Sequence, residues 1–67
     1  MIKNNDRYIV FIREFVDNKP TNTSSIVYNT EEEAREVIKD YELSHQNITY
    51  AIKLVRGEII DSFYKEI

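Results

Sequence analysis

Sixty-seven residues without a cysteine leave room for one domain, and exclude both a disulfide staple and a thiolate metal cage. Hydrophobic residues at 42% and charged residues at 31% place the chain among globular sequences, apart from the low-hydrophobicity class that stays disordered. The net charge of −3 makes nucleic acid an unfavoured partner, because nucleic-acid binding leaves a basic stripe in a sequence.

A chain of this size buries only about 60% of the surface that its unfolded form exposes, so self-association is an expected supplement to a small core. No apolar run approaches the roughly 18 to 20 residues of a membrane span, and Met1 to Asp6 lacks the hydrophobic centre of a signal peptide. The expected location is cytoplasmic, with no membrane partner. Those first six residues are expected to be flexible.

Arg7 to Val16 (RYIVFIREFV) is rich in β-branched and aromatic residues and too uniformly apolar for a surface helix, so it predicts a strand. Asp17 to Ser24 (DNKPTNTS) holds the single proline and a dense set of turn formers, which predicts a mobile loop. Ser25 to Tyr28 follows as a short second strand paired back on the first.

Thr30-Glu31-Glu32-Glu33 is a capping box, in which a threonine hydroxyl accepts from the amide three residues on. It opens a helix whose apolar stripe is Ala34, Val37, Ile38 and Tyr41, expected to end near Leu43 or Ser44. The clustered glutamates stand at the positive end of the helix dipole. His45 stands near its negative end, and Asn47 is suited to a left-handed cap.

From Asn47 onward, Ile48, Tyr50, Ile52 and Leu54 alternate with Thr49, Ala51, Lys53 and Val55, and Arg56-Gly57 turns the chain into Glu58 to Tyr64. This is a β-hairpin whose single glycine supplies a positive φ. Two registers stay open: a two-residue turn sets Leu54 opposite Ile59 and Ile52 opposite Asp61, while a bulged turn sets Ile52 opposite Ile60. The bulged form is preferred because it keeps Asp61 from facing an apolar residue. The whole chain then reads as a single α+β domain of order ββαββ, a four-stranded, mainly antiparallel sheet with one helix on one face.

The first strand has two apolar faces, Tyr8, Val10, Ile12 and Val16 on one and Ile9, Phe11 and Phe15 on the other. An antiparallel sheet with one wet face alternates apolar with polar, and one helix covers one face only. Ile9, Phe11, Phe15, Ile60 and Tyr64, with Val55 beside them, are therefore the expected partner or dimer interface, and a homodimer is the simplest way to cover it.

Chemistry finds little support. One histidine, one glycine and no cysteine supply neither a glycine-rich phosphate cradle nor a convergent set of metal ligands, so the chain is expected to be no enzyme and to carry no cofactor or metal. Glu32, Glu36 and Asp40 lie four apart along the helix and form a possible acidic contact face, against the plainer reading of a solvated surface supported by Glu31 and Arg35. The alternative function is an accessory nucleic-acid-binding domain using Tyr50 and Phe63 for stacking with Lys53 and Arg56 for charge.

The succession of a hydrophobic strand, Tyr-Asn-Thr-Glu-Glu-Glu-Ala at the helix start and YAIKLVRGEIIDSF in the last hairpin resembles short proteins encoded by phages and prophages of low-GC bacteria. The resemblance spans residues 7 to 64 and contains no motif specific to one family. It implies a non-catalytic protein-binding module in the host cytoplasm, one that inhibits or modulates a host enzyme or an antiviral defence component by stoichiometric binding.

Overall fold

A computed structural model describes residues 7–67, and the flexibility expected of Met1 to Asp6 lies outside those residues. The chain runs β1 (Tyr8–Val16), β2 (Lys19–Tyr28), α1 (Glu31–Ser44), β3 (Thr49–Arg56) and β4 (Glu58–Lys65). The strands form one antiparallel sheet in the order β2-β1-β3-β4, so β1 and β3 are the inner strands. The helix lies across one face.

The side chains of β1 point alternately to the two faces, and directly opposed residues on neighbouring strands share a face. Val10 and Ile12 therefore stand with Leu54 and Ile52 of β3 beneath the helix. Ala34 and Ile38 of α1 complete a core in which Ile52 and Leu54 are fully buried, joined by Tyr8 and Tyr50. Burying such an aliphatic side chain contributes about 1.5–3 kcal/mol, which makes this layer the main source of stability. Val37 and Tyr41 of the predicted stripe are half-buried at its margin.

The helix begins where the capping box places it. Thr30 is extended (φ −129°, ψ 153°), its Oγ1 accepts from the Glu33 amide at 3.2 Å, and its hydroxyl donates to Glu33 Oε1 at 3.0 Å. At the other end the His45 amide donates to the Tyr41 carbonyl at 3.0 Å. The His45 ring stacks on Tyr41 at 3.9 Å, with Nδ1 3.0 Å from the same carbonyl oxygen. Asn47 takes no left-handed cap: among the described residues, positive φ occurs outside glycine at Asp17 and Asn18.

Those two residues correct the reading of the first connection. Asp17 (φ 53°) and Asn18 (φ 66°) form a two-residue turn with the handedness that matches the twist of the flanking strands, and Lys19 pairs at once with Val16. The loop expected over residues 17–24 is thus a turn followed by the first six residues of β2. Thr, Asn and Ser can fill an edge strand exposed on both faces, where no burial demands apolar side chains. Pro20 fits there too, since an edge strand has a side on which no amide donor is needed. Thr21 is the extra residue of a bulge opposite Glu14, and its Oγ1 donates to the Glu14 carbonyl at 3.3 Å.

The last hairpin adopts neither expected register. Gly57 (φ 74°) makes the turn between Arg56 and Glu58, Ile60 is an extra residue, and Leu54 then faces Asp61 while Ile52 faces Phe63. Asp61 opposite an apolar residue is tolerated because a helix cation meets it: Arg35 Nη1 donates to Asp61 Oδ2 at 2.9 Å, and Arg35 Nε donates to Glu31 Oε2 at 2.7 Å.

Candidate protein-docking face

The face of the sheet turned away from α1 carries Ile9, Phe11, Arg13 and Phe15 from β1, with Val27 beside Ile9 on β2. From β3 it receives Val55, Lys53 and Ala51, and from β4 Ile59 and Tyr64, which are paired with Val55 and Ala51. No other element packs here among the described residues. Phe11 is 39% exposed, Ile59 56% and Tyr64 65%, whereas Ile52 on the opposite face is fully buried. Exposed apolar residues set side by side in this way are the ordinary mark of an interaction surface.

Between them runs a groove of about 430 Å³, lined by Phe11, Arg13, Phe15, Lys53, Val55 and Ile59 among others. A second hollow of about 410 Å³ lies past the end of the sheet, where Phe15 and Val16 meet Ile48 and Ile67. Val16, expected under the helix with Tyr8, Val10 and Ile12, is 55% exposed, because it stands at the end of β1 beside the turn.

Of the predicted interface residues, the structure brings Ile9, Phe11, Phe15 and Tyr64 onto this one face. Ile60 is the extra residue of the bulge and has no partner in the ladder, and Ile59 is the residue opposite Val55. The same face also carries Ile59, Val27 and Arg13, which the sequence reading did not assign to it. Arg13 was legible in principle, since it has the same alternation as Phe11 and Phe15 and so must point the same way.

The acidic line lies on the far side of the molecule. Glu32, Glu36 and Asp40 are all exposed on α1, and none of them forms an ion pair among the described residues. The nearby Glu31 is held by Arg35, which also ties the helix to β4. The Arg35 guanidinium and the Ser62 amide hold the Asp61 carboxyl below the usual carboxylate range, and Asp61 and Glu31 in turn raise Arg35.

The residues of the nucleic-acid alternative do not share a surface. Lys53 is on the open face, but Tyr50 is buried under the helix and Phe63 is half-buried beside Ile52. Arg56 turns toward the helix side, where Nη1 donates to the Tyr8 hydroxyl at 2.9 Å and the guanidinium lies 5.0 Å from the Tyr8 ring centre.

Beside the Arg35–Asp61 pair, a second polar contact crosses the two layers. The Tyr41 hydroxyl donates to Glu14 Oε2 at 2.6 Å, and the Tyr41 ring meets Tyr50 edge-on at 5.1 Å. Burial first, then the hydrogen bond to the Glu14 carboxylate and its charge, raise the Tyr41 phenol well above its ordinary value; burial likewise raises Tyr50. Both are structural groups, holding the helix on the sheet.

Among the described residues no group of three or more His, Asp or Glu is arranged to hold a metal ion, and no helix is long and apolar enough to cross a membrane. Comparison with family models, with curated proteins and with solved structures gives no match.

Proposed function

We propose that this chain is a non-catalytic protein-binding module that docks through the open face of its sheet. The observation that carries the reading is the set Phe11, Val55, Ile59 and Tyr64, exposed or half-exposed on a face that no other element covers among the described residues. The partner class is the one implied by the resemblance, a host enzyme or an antiviral defence component held stoichiometrically.

The test is affinity capture from a lysate of a low-GC bacterium, followed by sizing of the complex. The wild type and a Glu32→Lys, Glu36→Lys, Asp40→Lys variant should retain the same partner in a fixed ratio, and a Phe11→Ser, Ile59→Ser variant should lose it. Capture that survives the sheet substitutions, or no stoichiometric complex at all, rejects the reading.

A homodimer across the same face is the second reading, favoured by the amount of apolar surface left exposed on one side. A strictly monomeric mass by light scattering at roughly tens of micromolar protein removes it, since an interface worth about 7–8 kcal/mol would already be populated there.

A further inference from the structure

Resting on the reading that the open face is the docking surface, we infer that its occupant is an acidic amphipathic segment of another protein, with Asp or Glu side chains among apolar ones. Arg13 and Lys53 stand on the two inner strands, in the middle of the face. The register sets Arg13 opposite Ala51 and Lys53 opposite Phe11, so the two cations are diagonal neighbours. Diagonal positions of an antiparallel pair lie about 7–8 Å apart, a span that one or two carboxylates can bridge between two long, flexible side chains. Both cations are exposed, both line the groove, and neither forms an ion pair among the described residues.

No carboxylate shares that face within the strands. Glu14, Asp61 and Glu58 are paired with Tyr50, Leu54 and Arg56, and all belong to the helix side. A chain of net charge −3 therefore presents its most apolar surface with positive charge alone at its centre. Interfaces match opposite potentials and penalise like charges set against each other, so the centre of this face selects for anions.

The other occupants fit less well. A second copy placed face to face brings Arg13 and Lys53 against their own equivalents near the symmetry axis. A second copy docking its helix supplies Glu32, Glu36 and Asp40, but Leu43 is the one large hydrophobic exposed on α1, too little to cover Phe11, Val55 and Ile59. Single-stranded nucleic acid wants a charged track with aromatic platforms for its bases, whereas two isolated cations here are set among aliphatic as well as aromatic residues.

Selection of a displayed random-peptide library on the immobilised full chain tests the inference. Enriched peptides should carry an excess of Asp and Glu beside apolar residues. An Arg13→Gln, Lys53→Gln variant should bind them about tenfold more weakly or worse, as expected for losing charge-assisted hydrogen bonds. An Arg13→Glu, Lys53→Glu variant should enrich basic peptides instead. Both positions are exposed, and a dispersed amide spectrum verifies that each variant is folded.

Peptides that depend on Phe11 and Ile59 but show no acidic excess overturn the partner chemistry and leave the docking face standing. No enrichment, or peptides indifferent to Phe11→Ser and Ile59→Ser, overturn both. Binding of oligo-thymidylate that is lost in the Arg13→Gln, Lys53→Gln variant overturns the protein partner in favour of nucleic acid.

Discussion

Replacing Tyr41 by Phe removes one oxygen and leaves the ring between His45 and Tyr50, so the change isolates the contact with Glu14. The hydroxyl donates at 2.6 Å to a carboxylate in a partly buried setting, and hydrogen bonds to charged groups contribute about 1.5–3 kcal/mol. Water still reaches Glu14, which places the expected loss near the lower end, at about 1.5 kcal/mol. A chain of this length has roughly 3–10 kcal/mol in all, so the variant should melt roughly 6–12 °C below the wild type at pH 7.

The alkaline limb supplies a second readout. Tyr41 has a raised folded-state pKa, so above pH 10 the unfolded chain releases a proton that the folded chain retains. Stability should therefore be intact below pH 10 and fall as the pH climbs toward the folded value, by about 1.4 kcal/mol per pH unit for this one group. Tyr41→Phe should flatten that limb by one proton. Circular dichroism melts from pH 7 to pH 11 measure both effects; a variant that melts within about 2 °C of the wild type and keeps the alkaline slope refutes the role given to the contact.

Ile52→Ala, at a fully buried site, should cost about 2–5 kcal/mol in urea titrations, while Ile59→Ser on the open face should stay within about 0.5 kcal/mol of the wild type; equal losses would mean that both faces are core. Asn18→Gly should raise the urea midpoint and Asn18→Val should lower stability by about 1–2 kcal/mol, since Asn18 holds a φ of 66°; no difference between the two would remove the turn from the account. Asp61→Asn should shrink the loss of melting temperature between pH 7 and pH 3, because a carboxyl with a depressed folded-state pKa stabilises above its unfolded value and ceases to do so as the pH falls. An unchanged acid limb at low salt would contradict the pairing with Arg35.

The element order and the helix were legible because each rested on a local cause: the Thr30 capping box, the Ala34-Val37-Ile38-Tyr41 stripe and the alternation from Ile48 to Val55. The first half of β2 was not legible, since an edge strand exposed on both faces has no burial to write into its composition, and Thr, Asn and Ser then look like a loop. The register of the last hairpin was hidden for a different reason. Setting Asp61 against Leu54 is acceptable only because Arg35, 26 residues earlier, reaches across from the helix, a tertiary contact that no local pattern announces.

The candidate face was legible in outline from β1 alone, whose two apolar sides outnumber the one helix available to cover them. Arg13 was not assigned to it, although it follows from the alternation of Phe11 and Phe15. Ile59 stands opposite Val55 because Gly57 alone makes the turn, and the extra residue Ile60 then shifts every later pairing by one without changing the order of the strands.

The central claim is that partners meet the sheet and leave the helix alone. Amide shift mapping of the labelled chain with a selected peptide tests it most directly. The largest perturbations should fall at Phe11, Arg13, Lys53, Val55 and Ile59, with Glu32, Glu36 and Asp40 unmoved; perturbations concentrated on the helix, with the sheet face silent, would contradict docking through the sheet.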